Sequence, residues 1–495
     1  MKKQTIFLKL MALTLALLML AALVAGCTKQ GETEETGENP QGGATTETGR
    51  ATDADGFYLD DLPADLNFGR TFNILGEQIY KQQYYGLEVS PNDMVLSTIY
   101  KRNETVQERL GVEFQWTFKE GDWGTREGFI KEVETGVKGG GTSFDATICY
   151  NLVPQVIAER GMAANLYGSK YLDLTGPWWP SVYVDEMVVN DTIYGLVESN
   201  DFGMLQNMMA MFFNNEMLEA KGIESPYELV EKNEWTIAKF KELIKDTYGD
   251  TNGNSKVDPN DDTFGYCTAT QSKMDAWVYG LGYKYSEVVN DEIISNVNAS
   301  YPLSLIDTMV DLLSTDDTYA FDTSQHKMFL EERVYFYCAA IMLAPHIKRL
   351  DLDINYGVAP MPKMNSQQEK YYTHLSNTHD AWCVPVSVSD LDCTSAVMEC
   401  MASEAYRSIG PTYYDTYVKL RYAPDARLAK MYDLVRDSVT FDFVYLYSCV
   451  YTNNPKDLVK NCFLNPENQQ WSSVYSTNEQ KLNEAFARIA ALYNK

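Results

Sequence analysis

The sequence predicts an α/β protein whose sheets are covered on both faces, and three stretches carry that prediction. Met208–Phe213 is six consecutive apolar residues followed by Asn214-Asn215, a pair suited to cap a helix beginning near Glu216. A strand apolar on both sides has to be buried on both sides, as in the centre of a covered sheet. Next, Thr71–Leu75 (TFNIL) reads as a short buried strand, and IYKRNETVQERLGVEFQW as a helix leading into a strand over Val112–Thr117. In that helix Ile99, Val106 and Leu110 share one face, Arg102, Glu104 and Glu108 are expected to face out, and Gly111 stops it. Strand, helix and strand in that order make a β-α-β unit with parallel pairing. Third, FDATICYN is a strand that ends in polar Tyr150-Asn151. Open α/β sheets bind ligands at strand ends. The same reasoning marks Glu198, Asn200 and Asp201, which follow a turn at Asn190-Asp191 and a returning strand Ile193–Glu198.

The first 27 residues are of another kind. MKKQTIFLK is basic, Leu10–Val24 is nearly all apolar, and Leu23-Val24-Ala25-Gly26-Cys27 closes the run. That is the pattern of a bacterial lipoprotein signal (1–26), with Cys27 as the acylated N-terminus of the mature chain; it predicts an extracytoplasmic protein tethered to the cell membrane by lipid alone. Residues 27–63 are rich in Gly, Thr, Glu and Asp and read as a disordered tether.

Further along, Ile237, Phe240 and Ile244 stripe one face of a helix. The segment DTNGNSKVDPND places Asp250, Asn252, Asn254, Asp258 and Asp261 at positions 1, 3, 5, 9 and 12 of an EF-hand-type loop, with the Lys256 carbonyl at position 7. Alternate residues point inward around a hard cation, so a structural Ca²⁺ is expected there. Ser255 in place of Gly at position 6 and the short Asp261 at position 12 depart from the standard loop. FLEERVYFYCAAIMLAPHIKRL reads as a helix rich in core aromatics, and a second helix is expected from about Leu391 to Ser408.

A chain of 495 residues with a net charge of -28 has room for large cores and repels nucleic acid and anionic membrane surfaces. Loss of Lys2, Lys3 and Lys9 with the signal makes the mature chain more acidic still. No CxxC, HExxH, GxSxG, P-loop or Rossmann glycine pattern occurs, which removes the common zinc, hydrolase and nucleotide readings. The eight cysteines beyond Cys27 lie in apolar stretches and read as buried free thiols.

The order of several segments resembles that of extracellular solute-binding proteins of ABC importers, family 1, of the maltose-binding-protein type. The matching residues are Leu172-Asp173-Leu174 and Pro177-Trp178-Trp179 in YLDLTGPWWP, the strand and helix MMAMFFNNEMLEAKGIESPYEL, MDAWVYGLGYKY, INYGVAPMPKM, HDAWCVPVSVSD, and Pro411, Tyr413, Tyr414 and Tyr422 in IGPTYYDTYVKLRYAPD. The resemblance implies a two-lobed type II fold over roughly residues 68 to 450. It divides the chain into an N-lobe (64–203), a C-lobe (204–360), a return to the N-lobe (361–410) and a return to the C-lobe (411–495), with hinge crossings near 200–210, 355–365 and 408–412.

It implies, too, a monomeric receptor without enzymatic activity that binds a carbohydrate, an oligosaccharide above all, and passes it to permease subunits. Pyranose rings stack on aromatic faces while their hydroxyls need polar forks. Trp277 is the first platform expected by position, followed by Tyr413, Tyr414, Trp382 and Trp178. Asp145, Asn151, Glu198, Asn200 and Asp201 are the expected polar partners. Two alternatives stay open: a receptor for a peptide or other cationic solute, which the charge favours, and a surface glycoside hydrolase using Glu198 and Asp201 as acid and base.

Overall fold

The computed structural model describes residues 50–494 apart from 89–92, 140–143, 200, 270–271, 322–325, 422, 424 and 468–469. The signal, Cys27, most of the tether, Asn200 and Tyr422 lie outside the described residues.

Two five-stranded sheets organise the chain. The first is built from β1 (Arg70–Glu77), β2 (Val112–Lys119), β3 (Ala146–Tyr150), β4 (Gly195–Leu196) and β13 (Asp380–Cys383), in the order β2-β1-β3-β13-β4. β1 pairs parallel with β2 and β3, as the β-α-β reading requires, and β13 returns antiparallel between β3 and β4. The second sheet is built from β5 (Met209–Asn214), β6 (Phe264–Ala269), β9 (Thr318–Phe321), β10 (Val334–Ala340) and β11 (Tyr356–Ala359), in the order β11-β5-β10-β6-β9. A hairpin, β7 (Ser286–Val289) and β8 (Glu292–Ser295), and a short pair, β12 (Thr373–His374) with β14 (Val439–Thr440), complete the strands.

Local chemistry sets the element ends. Every residue of β5 is buried. Phe212 packs on Phe329 and Tyr356, and Phe213 on Tyr227 and Phe336. The Asn214 side chain then accepts from the Met217 N–H and caps the helix Asn215–Lys221. Asp93 caps the helix Met94–Leu110 by accepting from the Val95 and Leu96 N–H groups, and Gly111 ends it at φ 61, a left-handed conformation that suits glycine.

Three expectations need correction. FLEERVYFYCAAIML is not one helix: Val334–Ala340 is β10, paired with β5 and β6. Its apolar run satisfies a covered strand as well as a buried helix, and the two neighbouring strands decide it. Arg102 does not face out but is 3% exposed, because Tyr84 and the helix Lys81–Tyr85 cover that face of Met94–Leu110. The second crossing runs through 375–379 rather than 355–365. Residues 361–374 stay with the second sheet, where Lys363 exchanges backbone bonds with Trp235 and Ile237, and the chain reaches the first sheet at β13.

The first crossing leaves β4 and enters β5. It pairs with the second through a bridge between Met208 and Leu375, with the Ser376 N–H donating to the Asn207 carbonyl at 2.8 Å. At the third, the helix Leu391–Gly410 passes directly into a π-helix, Pro411–Arg421. All eight cysteines from Cys149 to Cys462 are free, and all but Cys449 are buried.

Candidate functional site

The ends of β1 and β3 that lead toward the second sheet carry the most distinctive chemistry of the first. Glu77, the last residue of β1, is fully buried, and its carboxyl has the Tyr150 N–H near it but no side-chain partner. Burial, with the Tyr150 N–H opposing it and Asp122 adding to it, pushes the carboxyl up to about 8, so Glu77 is held neutral at pH 7. Gly121 lies against it, and a Cβ at that position would collide with the Glu77 side chain. The next residue, Asp122, accepts from the Gly124 N–H at 2.9 Å and from the Thr125 N–H and hydroxyl at 3.0 Å, closing a turn before the helix Arg126–Lys138. That turn presents Trp123 with 47% of its surface exposed. The Arg126 guanidinium stacks 4.0 Å from the Trp123 ring and donates to its carbonyl, and the ring lies 6.2 Å from Tyr150 at the end of β3. An exposed, braced indole is suited to an apolar ring face.

The second sheet contributes the helix Ser272–Gly280. Its Asp275 is buried, 3.0 Å from the Lys460 ammonium, and accepts from the Tyr445 hydroxyl at 3.3 Å. Lys460 also meets Asp457 at 3.2 Å, and Lys456 stacks 5.3 Å from the Tyr445 ring. His374 lies flat against Tyr279 at 5.0 Å and edge-on to Tyr445 at 5.1 Å. Burial pushes His374 down to about 3 and His379 down to about 4, so both are neutral. From the first sheet, Asn151 Nδ2 lies 3.2 Å from His379 Nε2, and the Asn151 N–H donates to the His379 carbonyl at 3.1 Å. Asn151, Tyr279, His374, His379, Phe441 and Tyr445 enclose a cavity of about 10 Å³, room for about one water and not for a sugar ring. A sugar ring would enter this cavity only if its walls moved apart.

The residues expected from the sequence are distributed differently. Asn151 lies at this junction. Trp277 does not: it is fully buried in the core of the second sheet, packed on Phe240 at 5.4 Å and donating to the Tyr266 hydroxyl at 2.6 Å. Trp178 is also a core residue, its indole N–H donating to Glu399 at 3.0 Å, beside Trp179, which donates to the same carboxylate at 2.9 Å. Trp382 is buried in β13 and donates to Glu198 at 2.6 Å.

Tyr413 and Tyr414 belong to the π-helix and are buried, the first edge-on to Phe202 at 4.6 Å and the second under the Arg436 guanidinium at 4.4 Å. Asp145 precedes β3, at the end of that strand opposite Tyr150, where it accepts from Arg70 at 2.6 Å and the Asn73 N–H at 2.8 Å. Glu198 and Asp201 are closed inside the hinge. Of these residues, only Asn151 lines the inter-sheet cavity.

Glu77 and Trp123 were missed. The signal for Glu77 is the one that marked Glu198, a polar residue closing an apolar strand. For Trp123 it is a lone indole in the polar loop GDWGTRE.

The 250–261 loop has part of the expected frame. The Asp250 carboxylate accepts from the Gly253, Asn254 and Ser255 N–H groups, and Ser255 takes φ 57, the left-handed conformation for which position 6 normally uses glycine. Asn252 Nδ2 instead donates to Asp261 at 3.1 Å, and Asp258 accepts from the Asn260 N–H. Among the described residues no group of three or more His, Cys, Asp and Glu converges as a metal site.

No protein-family model matches the chain, and no curated protein matches it. Solved structures do. The sugar-binding protein MalE of Xanthomonas citri superposes with a TM-score of 0.58 at 12% identity, covering 86% of this chain and 99% of its own. The galacto-N-biose-/lacto-N-biose I-binding protein of a Bifidobacterium longum ABC transporter, in complex with lacto-N-biose, gives 0.53 at 13%, covering 85% and 98%. An ABC substrate-binding protein of Listeria monocytogenes in complex with cycloalternan gives 0.52 at 11%, covering 84% and 99%. The chain thus has the two-lobed fold of the sugar-binding proteins of ABC transporters, the architecture that the sequence resemblance implied. All three of those neighbours are binding proteins.

Proposed function

We propose that this chain is a lipid-anchored, extracytoplasmic receptor that binds a carbohydrate, an oligosaccharide above all, between its two sheets and delivers it to an ABC permease without altering it. The observation that carries the reading is the exposed Trp123 ring, braced by Arg126 in the turn whose Gly121 packs on the neutral Glu77 carboxyl. Added support comes from the fold and from the neighbours' sugar ligands. A monomer suffices for this role, and Cys27 would carry the lipid.

A neutral ligand suits the site better than a cationic one. Glu77 is itself neutral, and the buried Asp275 carboxylate is matched by Lys460, so neither offers a cationic ligand a free counter-charge. The hydrolase alternative loses its acid and base, since Glu198 and Asp201 are buried and engaged by Trp382 and the Gly203 N–H.

A thermal-shift panel of glycans and cationic peptides tests the proposal, because a ligand bound only by the native form raises apparent stability. Glycans are expected to shift the transition and peptides not. Trp123→Ala is expected to weaken binding about tenfold to thirtyfold, the scale of a central aromatic contact. A peptide-only shift, or unchanged glycan affinity in Trp123→Ala, contradicts the reading.

Calcium in the 250–261 loop is proposed as a separate, structural ligand, held by Asp250, Asn252, Asn254, the Lys256 carbonyl, Asp258 and Asp261 after the Asn252 amide turns over. Calcium is expected to raise the transition temperature relative to a chelator, and Asp250→Ala to remove the difference. Equal transitions with and without calcium dismiss it.

A further inference from the structure

The hinge holds three carboxylates that the proposed binding function does not use. Glu198 and Asp201 lie on the first crossing, and Asp380 opens β13 directly after the second; each is at most 4% exposed. Their donors are few. Trp382 Nε1 donates to Glu198 Oε1 at 2.6 Å, and the Gly203 N–H to Asp201 Oδ1 at 3.0 Å. The Tyr84 hydroxyl bonds Asp380 Oδ2 and lies 3.5 Å from Asp201 Oδ2, but it has one hydrogen to give.

Glu198 Oε2 and Asp380 Oδ1 are buried without partners. A Cβ on Gly203 would meet Asp380 Oδ1 and Asp201 Oδ2 together, beside the Gln83 amide, which can turn over to donate but carries no charge, so carboxylate oxygens from both crossings converge on one point. Converging buried acceptors repel unless a proton or a cation is placed among them. The buried cation nearby is Arg102, whose Nε donates to Asn103 at 3.1 Å and whose Nη2 donates to the Tyr84 carbonyl at 3.4 Å. One guanidinium facing three carboxylates leaves an uncompensated negative charge, and none of the described residues gather as a metal site.

We infer that Asp201 and Asp380 hold one proton between them, and that this shared proton ties the first crossing to the second and keeps the hinge shut. When it passes to water, two carboxylates face each other across the crossings and push them apart. Burial raises both carboxyls; Asp201 further raises Asp380, and Glu198 is pushed up to about 7 by burial and Asp201. The other titratable and charged groups facing the cluster are Tyr84, Tyr80, Glu77, Cys149 and Arg102. Because the folded-state values are raised, the proton's contribution is complete in acid and is lost as pH rises through those values. The shut hinge is therefore the low-pH form.

The test uses the ligand-free chain, so it stands apart from whether a sugar binds. Small-angle X-ray scattering compares about pH 5.5, above the ordinary carboxylate range, with the highest pH at which the chain stays folded. The parent protein is expected to expand with pH. Asp380→Asn, which supplies a permanent donor of the same size, and Asp201→Asn, as a second variant, are expected to stay compact at both values. Infrared difference spectra between the same conditions should show a protonated-carboxyl band lost from the parent that is weaker in both variants. No expansion of the parent, equal expansion in both variants, an undiminished band, or compaction restored only by Glu198→Gln overturns the inference.

Discussion

Trp277→Ala is expected to lower stability by about 3–5 kcal/mol while leaving the glycan affinity of the folded fraction unchanged. The indole is enclosed by Phe240 and Tyr266, and Phe240 in turn packs on Trp235 and Phe336, so the truncation opens a void at the centre of the second lobe. It also takes away the indole N–H that the Tyr266 hydroxyl accepts, leaving Thr268 as its side-chain partner. Chemical denaturation gives the stability change and calorimetry on the surviving native protein gives the affinity. A stability loss under about 1 kcal/mol together with abolished binding would put Trp277 in the groove, where family position first placed it, and not in the core.

Lys460→Met should be comparably damaging, by about 3–5 kcal/mol, because it leaves the buried Asp275 carboxylate without its counter-ion. Burial alone pulls the Lys460 ammonium toward neutrality. Asp275 and Asp457 outweigh it, and the pKa rises above the ordinary lysine value. A raised lysine contributes stability that is complete through neutral pH and is lost only as pH rises through the raised value. The deficit in Lys460→Met should therefore be constant through neutral pH and shrink only in strong alkali. Adding Asp275→Leu should recover most of it, since replacing both charges removes the orphan. Equal stability of the single and double variants would show that the pair is not coupled.

How far the sequence could carry these conclusions depended on whether the information was local. Met208–Phe213 announced a doubly covered strand because a six-residue apolar run allows little else next to an Asn cap. The same kind of run in Val334–Ala340 was read as helix because length and composition cannot separate the two when the pairing partners, β5 and β6, are distant in sequence. Arg102 looked outward from its own helix, and the residue that covers it, Tyr84, comes from a different one. The overall fold was legible through the order of many weak matches.

The site was much less so. Strand-end logic leads to Asn151, which lines the inter-sheet cavity, but equally to Glu198 and Asp201, which are sealed in where the chain passes between the sheets. Position by resemblance chose Trp277, although Met274, Trp277 and Val278 at helical spacing are all buried, the signature of a core face. Trp123 stands in a loop with no periodicity to recommend it, and only its 47% exposure distinguishes it. Burial and unmet hydrogen bonds are tertiary properties, and those properties separate the residues that hold the fold from those left to hold a ligand.

The central claim is that a carbohydrate is held and released unchanged. Equilibrium dialysis of the chain against a mixed oligosaccharide pool, followed by chain-length analysis of both compartments, tests it directly. A subset of the pool is expected to concentrate on the protein side with its length distribution intact and no new reducing ends. An even distribution of every sugar, or the appearance of shorter products, would contradict it.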